Sequence, residues 1–592
     1  MRASLPSRTP ARRLVLLTVL AAGLGLAGGG AAWVLLHLIA LLTNVALFHR
    51  TGWHLPSFRD LHPGPGLFVA AITGALLVSF LARWSPVIRG HGLPEAMEAI
   101  LTRQSRISPR AALAKPLSAA LAIGTGGPFG AEGPIIVTGG ALGSLVGQLL
   151  PVSPSERKIL VASGAAAGMA ATFGAPLAAV VLAIELLLFE FSTRAFIPLV
   201  VAASVAGGAH ARLFGSGPLF AVPPHDYAGL GRLPLYVGLG LGCGLLAVVL
   251  SKGLFLVEDG FRRLPIDEFW HPVIGAVGFA LVGLAVPRAL GVGYDAISDT
   301  LLGRLTLASL AVLGLAKLVA WWVALASGTS GGTLAPILLV GATFGALAGH
   351  AVNALAPAAH VAPGAFALVS MAATFGAAAR APFTSIVFVF ELTGDYQVIL
   401  PLMLASVVAD LVASSLMTES LMTEKLARRG LVVRGAYEVD VMRTTRVARI
   451  MTADVHTLSC SATVGDAMAA FRATGHGAYP VVDGDGACVG IVTRGDLLGQ
   501  GPSVDTEAPI TTIATDDPVT IAGAAFALDA LHLMLEERVD HLPVLDGPRL
   551  VGICTRTDLL RTRLADLELE RSQPGWHRWG RQGSGSARRA RA

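Results

Sequence analysis

Only four cysteines, Cys243, Cys460, Cys488 and Cys554, occur in 592 residues, and none stands in a CxxC or Cys/His metal spacing. They read as buried thiols in a reduced setting, and the chain offers no metal site. Charge is also scarce: 14% of residues are Asp, Glu, Lys or Arg, against 53% hydrophobic and 69 glycines. Such a chain is too apolar for an ordinary soluble protein and too long for one domain. No nucleophile is paired with a base, which argues against an enzyme. The apolar spans lack the acidic rings a cation channel would want. The net charge of +5 is modest and gathers in the tail, at Arg571, Arg578, Arg581, Arg588, Arg589 and Arg591. Residues 563–592, rich in Gly and Ser, are expected to be disordered and to touch anionic lipid, with no nucleic acid as partner.

Long apolar runs fill the space that charge leaves empty. Leu14 to Phe48 is almost uncharged and exceeds the roughly 20 residues a spanning helix needs, so it is expected to tilt, to break near Gly28-Gly29-Gly30, or both. Arg12-Arg13 and Ala31-Ala32 also fit a secretory signal, but the apolar run continues past that cut. Read as a first membrane helix, it places its arginines on the cytoplasmic side, with the loop carrying Arg103, Arg106 and Arg110. The expected plan is a cytoplasmic segment 1–13, a multi-pass membrane domain 14–425 and a linker 426–445. Both termini are cytoplasmic and the lipid bilayer is that of the cell (plasma or inner) membrane.

The membrane domain repeats. Met169-Ala-Ala-Thr-Phe-Gly-Ala175 returns as Met371-Ala-Ala-Thr-Phe-Gly-Ala377, Pro134 matches Pro336, and Gly139, Gly143 and Gly147 match Gly341, Gly345 and Gly349, all 202 residues apart. Duplicated transporter halves commonly meet around one site at the bilayer midplane, built from broken helices. The candidate turns are Gly90-His-Gly-Leu-Pro94, Gly130-Ala-Glu-Gly-Pro134, Gly174-Ala-Pro176 and Gly332-Thr-Leu-Ala-Pro336. An anion in hydrocarbon loses hydration of order tens of kcal/mol, while a fixed Lys or Arg would trap it. Unpaired N–H groups at helix starts attract it without holding it. A carboxylate among such helix starts, Glu132, is an internal mimic of the anion: it blocks when ionised and withdraws when protonated. Alone it would read as an ordinary first-turn glutamate. Its counterpart Leu334 is uncharged, so one half alone supplies a gate.

A second repeat follows Gly430. Gly490-Ile-Val-Thr493-Arg-Gly-Asp496 returns 62 residues later as Gly552-Ile-Cys-Thr555-Arg-Thr-Asp558, each behind a β-rich stretch. The tandem unit resembles a pair of CBS domains, at 446–499 and 509–562. That resemblance implies a cleft for ATP, ADP or AMP, with Thr493 and Thr555 toward phosphate and Asp496 and Asp558 toward ribose. The plain alternative is that these four cap turns and helices.

The ordered motifs Gly-His-Gly-Leu-Pro-Glu95, Gly-Ala-Glu-Gly-Pro and Gly-Gly-Thr-Leu-Ala-Pro, with tandem CBS modules behind them, resemble the CLC family of chloride channels and proton/chloride exchangers from about Leu14 to Asp558. The implied fold is mainly α: a polytopic membrane protein with an inverted-repeat core of broken helices and a cytoplasmic α/β CBS pair. The resemblance further implies a homodimer with one pore per subunit and small inorganic anions, chiefly chloride, as permeant. Its implied ligands are backbone N–H groups of Thr333, Leu334 and Ala335, with Ala131 and Gly133 at the outer site. No cofactor is required.

Four positions depart from the family pattern. His91 stands where serine is usual, either donating to the anion or bonding a neighbouring carbonyl. Met422 replaces the inner tyrosine as an apolar constriction. Ala131 replaces arginine before the gate. Leu186 occupies the place of the inward proton-passing glutamate, leaving Glu185 and Glu190 as weak relay candidates, and Glu185 with its counterpart Glu391 also reads as a backbone cap. His91 is neither the serine associated with chloride nor the proline associated with nitrate, and Pro134 argues against the fluoride branch. The leading expectation is a chloride channel gated by Glu132 and regulated by nucleotide. The alternative is a proton-coupled anion exchanger on the same scaffold.

Overall fold

A computed structural model describes residues 11–189, 191–222, 230–431, 442, 445–499 and 505–562. It divides into two compact units, one ending at Gly435 and one beginning at Ala436. Glu190, most of the 426–445 linker and the basic tail lie outside the described residues.

The apolar unit opens on a single helix, α1 (Ala11–Phe48), of 38 residues. At 1.5 Å per residue it is about 57 Å long, far more than the ~30 Å of a hydrocarbon core, so it must tilt. The break anticipated near Gly28-Gly29-Gly30 does not occur. Those glycines are instead contact points, since a Cβ on Gly28 would come within 2.9 Å of the Ala167 Cβ and one on Gly29 within 2.7 Å of the Ala209 Cβ.

The first half continues with α2 (Pro65–Trp84), α3 (Leu93–Thr102), α4 (Pro109–Gly124), α5 (Glu132–Leu149), α6 (Pro154–Phe173), α7 (Pro176–Leu182, running into a π turn at Ala183–Leu188) and α8 (Thr193–Leu213). The second half is α9 (Leu233–Arg262), α10 (His271–Ala285), α11 (Tyr294–Leu301), α12 (Leu307–Ala326), α13 (Leu334–Leu355), α14 (Pro363–Ala379), α15 (Pro382–Thr393) and α16 (Ile399–Leu416). Proline opens many of them, where its missing N–H costs nothing. By length and apolarity seven of the described helices can cross a membrane, and α7, α10, α14 and α15 are shorter apolar pieces.

Packing repeats with the sequence: α1 lies on α6 and α8 as α9 lies on α14 and α16, and α5 pairs with α6 as α13 pairs with α14. The paired helices touch at glycine. A Cβ on Gly139 would strike the Gly164 carbonyl, and one on Gly345 the Phe366 carbonyl, both far inside the 3.0 Å that real Cβ atoms keep. Without a hydrophobic drive between helices in lipid, this close backbone approach is what dispersion needs.

The halves are also stitched crosswise. Glu391, at the end of α15, accepts from the amides of Leu177 (3.0 Å) and Ala178 (2.6 Å) at the start of α7. Glu185 accepts from Phe383 N (3.4 Å), Thr384 N (2.8 Å) and Thr384 Oγ1 (2.6 Å) at the start of α15. Each half thus closes a helix start of the other, satisfying amides that hydrocarbon would leave bare. One expected anion-facing turn, Gly174-Ala-Pro176, is therefore already occupied by a carboxylate.

The C-terminal unit holds two sheets. In the first, β1 (Leu458–Ser459) runs parallel to β2 (Ala478–Val482), which pairs antiparallel with β3 (Cys488–Thr493), joined at its far edge by β4 (Thr515–Asp516). In the second, β5 (Ile521–Ala522) is parallel to β6 (His541–Asp546), itself antiparallel to β7 (Arg549–Thr555). The registers Ala478↔Thr493 and His541↔Thr555 are the same pairing in both modules. Burial, with Asp558 nearby, pushes the Cys554 thiol up to about 12, making it inert; Cys243 is buried as well, but Cys460 and Cys488 are only half-buried, against the expectation for all four.

Candidate functional site

Two glycine turns meet where the halves join. Gly130 N donates to Gly332 O (3.2 Å) and Gly332 N to Gly130 O (2.9 Å), an antiparallel bridge that holds the starts of α5 and α13 side by side. Glycine is required here, because Cβ atoms on Gly130 or Gly332 would run into the Glu132 carboxylate. A parallel bridge between Gly90 and Ser330 brings in the loop ahead of α3.

Glu132, the first residue of α5, is 2% exposed and turns its carboxylate toward the start of α13. The Ala335 amide faces it. Oε1 accepts from the Tyr294 hydroxyl at 3.3 Å, a long and therefore weak bond. Oε2 has no partner. A carboxylate buried without full hydrogen bonding is costly and poised to change protonation or place.

The small cavity beside it, about 20 Å³, is lined by His91, Glu132, Gly133, Thr333, Leu334 and Met422 among others. Six sequence-predicted residues from four distant stretches thus share one wall. Ala131 and Ala335 are fully buried in the two turns but do not line the cavity. His91 is 1% exposed, and both ring nitrogens lack a partner, so its side chain does not bond a neighbouring carbonyl. Met422 contributes an apolar wall. The nearby hydroxyl comes from Tyr294. Of the relay candidates, Glu185 spends both oxygens on the α15 cap and does not line the cavity, and Glu190 lies outside the described residues.

Sequence reasoning missed the supports behind this wall. Lys115 and Lys317, both fully buried, are 202 residues apart. Lys115 Nζ donates to Ile88 O (2.7 Å) and Gly90 O (2.8 Å), and Lys317 Nζ to Gly291 O (2.7 Å). They fasten two matching loops, Gly90-His-Gly92 and Gly291-Val-Gly293, whose glycines all have positive φ. The signal was present: Gly291-Val-Gly-Tyr294 repeats Gly90-His-Gly-Leu93 at 201 residues, one short of the main offset. The pathway thus has lysines behind it, although none lines the small cavity.

A second cavity of about 560 Å³ reaches Gly90 and Glu95 from the other side. Its walls carry seven arginine or lysine side chains against four glutamates, and Arg103 and Arg429 are more than half exposed at its rim. A basic funnel of this kind concentrates anions.

In the C-terminal unit Thr493 N and Oγ1 both donate to Asp496 Oδ2 (2.7 and 2.8 Å), and Thr555 N and Oγ1 to Asp558 Oδ2 (2.9 and 2.7 Å). Both pairs act as local caps.

Paired halves, crosswise capped helix starts and a buried carboxylate at their junction define an ion transporter of the membrane. The family description "Voltage gated chloride channel" matches residues 73–414, and "CBS domain" matches 447–501 and 510–565. The chain belongs to this CLC family. It is 31% identical over 381 residues to the H(+)/Cl(-) exchange transporter ClcA of Vibrio parahaemolyticus, covering 62% of this chain and 80% of that one. It is 33% identical over 365 residues to ClcA of Salmonella agona, covering 59% and 76%. In three dimensions it is similar to a slow cyanobacterial Cl-/H+ antiporter (TM-score 0.60, 26% identity, 72% of this chain and 99% of that chain). A eukaryotic CLC transporter shares the fold over 92% of this chain and 98% of that one, at 19% identity and a TM-score of 0.59.

Proposed function

We propose that the chain exchanges chloride for protons as a homodimer in the cell membrane, with one pathway per subunit. The observation that carries this is Glu132: a buried carboxylate at the start of the opposing half's helix, with one oxygen unpartnered. It holds the anion's place when charged and vacates it on taking up a proton, so one group competes with chloride and carries H⁺. Backbone amides of Ala131, Gly133, Thr333, Leu334 and Ala335 attract the anion, His91 faces it, and Met422 narrows the path.

The channel reading leans on Leu186, which places methyl groups in the cavity wall where a second carboxylate would pass protons. Exchange is favoured because several relatives matched over most of their length are named exchangers, although one, of Ralstonia nicotianae and 31% identical, is named a putative chloride channel protein. In reconstituted liposomes the reversal potential is expected to move when a proton gradient is imposed at fixed chloride. A potential set by the chloride gradient alone would restore the channel.

Adenine nucleotide is the proposed regulator of the C-terminal unit, supported by the repeated Thr–Asp pairs, whose Oδ1 atoms are left for ribose. Calorimetry on the full protein is expected to show ATP, ADP or AMP binding that Asp496→Ala with Asp558→Ala weakens by about tenfold or more, the worth of one charge-assisted hydrogen bond. Unchanged binding would leave the four residues as caps alone.

A further inference from the structure

A carboxylate that holds an anion's place is held by the groups that would hold the anion, so the partners of Glu132 trace the site it covers. Its Oε2 lies against the backbone of Gly130 and Gly332, in the space their Cβ atoms would take. The Ala335 amide faces the carboxylate. One partner is not main chain: the Tyr294 hydroxyl donates to Oε1 at 3.3 Å. An uncharged O–H suits such a place, because it attracts an anion without the strength of a fixed Lys or Arg.

Tyr294 is firmly seated. It is the first residue of α11, behind the Gly291-Val-Gly293 loop whose Gly291 carbonyl accepts from Lys317 Nζ (2.7 Å). Its ring stands edge-on to Phe173 (centroids 6.5 Å apart) and to Phe220 (6.1 Å), which fixes the ring and with it the reach of the hydroxyl. The matching loop of the first half, Gly90-His-Gly92, puts His91 and Leu93 on the wall of the small cavity. Both loops therefore come to the same carboxylate. Of their two polar side chains only Tyr294 bonds it, since both His91 ring nitrogens lack a partner.

Resting on the reading of Glu132 as the anion's stand-in, we infer that Tyr294 is a side-chain ligand of chloride. When Glu132 takes up a proton and withdraws, the hydroxyl turns from Oε1 to the anion that replaces it. One donor is thus shared between gate and substrate. It supplies from α11 the hydroxyl that Met422 lacks, while Lys317 holds the loop and does not touch the anion.

The test is a calorimetric chloride titration of the full protein in detergent for four chains: the parent, Tyr294→Phe, Glu132→Ala and the double variant. Phenylalanine keeps both ring contacts and removes only the hydroxyl. With Glu132 replaced, chloride alone uses the donor, so Tyr294→Phe should weaken binding about tenfold, the worth of one hydrogen bond to a charged group. With Glu132 present, carboxylate and chloride lose the same donor, and the apparent affinity should change far less. Equal affinities for Glu132→Ala and the double variant would overturn the assignment. So would an equal loss in both backgrounds, which is what loosened packing gives. A Glu132→Ala chain that binds chloride no better than the parent would overturn the stand-in reading itself, and the assignment with it.

Discussion

Glu132→Ala is expected to leave chloride moving and to abolish its coupling to protons. Removing the carboxylate clears the place at the start of α13 that the side chain now fills, so the anion meets the Thr333–Ala335 amides without a competitor. The proton loses its carrier at the same stroke, because no other acid lines the cavity. Proton flux should fall on the order of a hundredfold, as for loss of a general acid–base group, and the reversal potential should follow chloride alone. Acidification, which in the parent empties the site by protonating Glu132, should no longer change chloride flux. Parallel liposome records across pH check both points. A variant with the parent's coupling and pH response would remove Glu132 from the mechanism.

Both the carboxylate and its setting were legible in the sequence for physical reasons. The constant 202-residue offset is a property of duplication, and glycine–proline turns are dictated by backbone approach. The offset matched Leu334 to Glu132, and the family resemblance implied Thr333 beside it. What remained hidden depended on small slips of register. Glu185 and Glu391 read as backbone caps in the sequence, but the four-residue insertion Ala378-Ala-Arg380-Ala381 shifts Pro176 against Pro382, so that each closes a helix start of the opposite half became visible only in space. A one-residue slip likewise concealed Tyr294 as the counterpart of Leu93. The continuous α1 had a different cause. Three successive glycines weaken a helix locally, but neighbours pressed against Gly28 and Gly29 make them packing sites, and tertiary contact overrides propensity. The buried lysines Lys115 and Lys317 drew no reading from the sequence, because nothing in their own neighbourhood shows what their Nζ atoms reach. Those Nζ atoms are spent on loop carbonyls.

Gly133→Ala is expected to destroy transport, and its near neighbour Gly140→Ala to spare it. A Cβ on Gly133 would fall on the His91 carbonyl oxygen, far inside the 3.0 Å real Cβ atoms keep, with Gly332 Cα at 3.3 Å on another side. The obstacles are main chain, so no rotamer change relieves the clash. Gly92 has the converse restraint, its own Cβ position lying 2.5 Å from Gly133 O at a φ of +99°. One methyl must therefore push the α3 loop from α5, opening the wall that joins His91 to Glu132. Overpacking costs about 1–3 kcal/mol where neighbours can adjust, and backbone on both sides makes the upper end the fair figure. At Gly140 the nearest atoms, Val161 Cγ1, Ile107 Cδ1 and Val161 O, lie 3.6 to 3.7 Å away, ordinary contact. Alanine there gains up to about 1 kcal/mol of helix propensity. Chloride flux near the empty-liposome level for Gly133→Ala, with a lowered unfolding midpoint in detergent, should contrast with parental flux and an equal or higher midpoint for Gly140→Ala. Parental flux from Gly133→Ala would mean that the three glycine turns are not the tight junction on which the anion site depends.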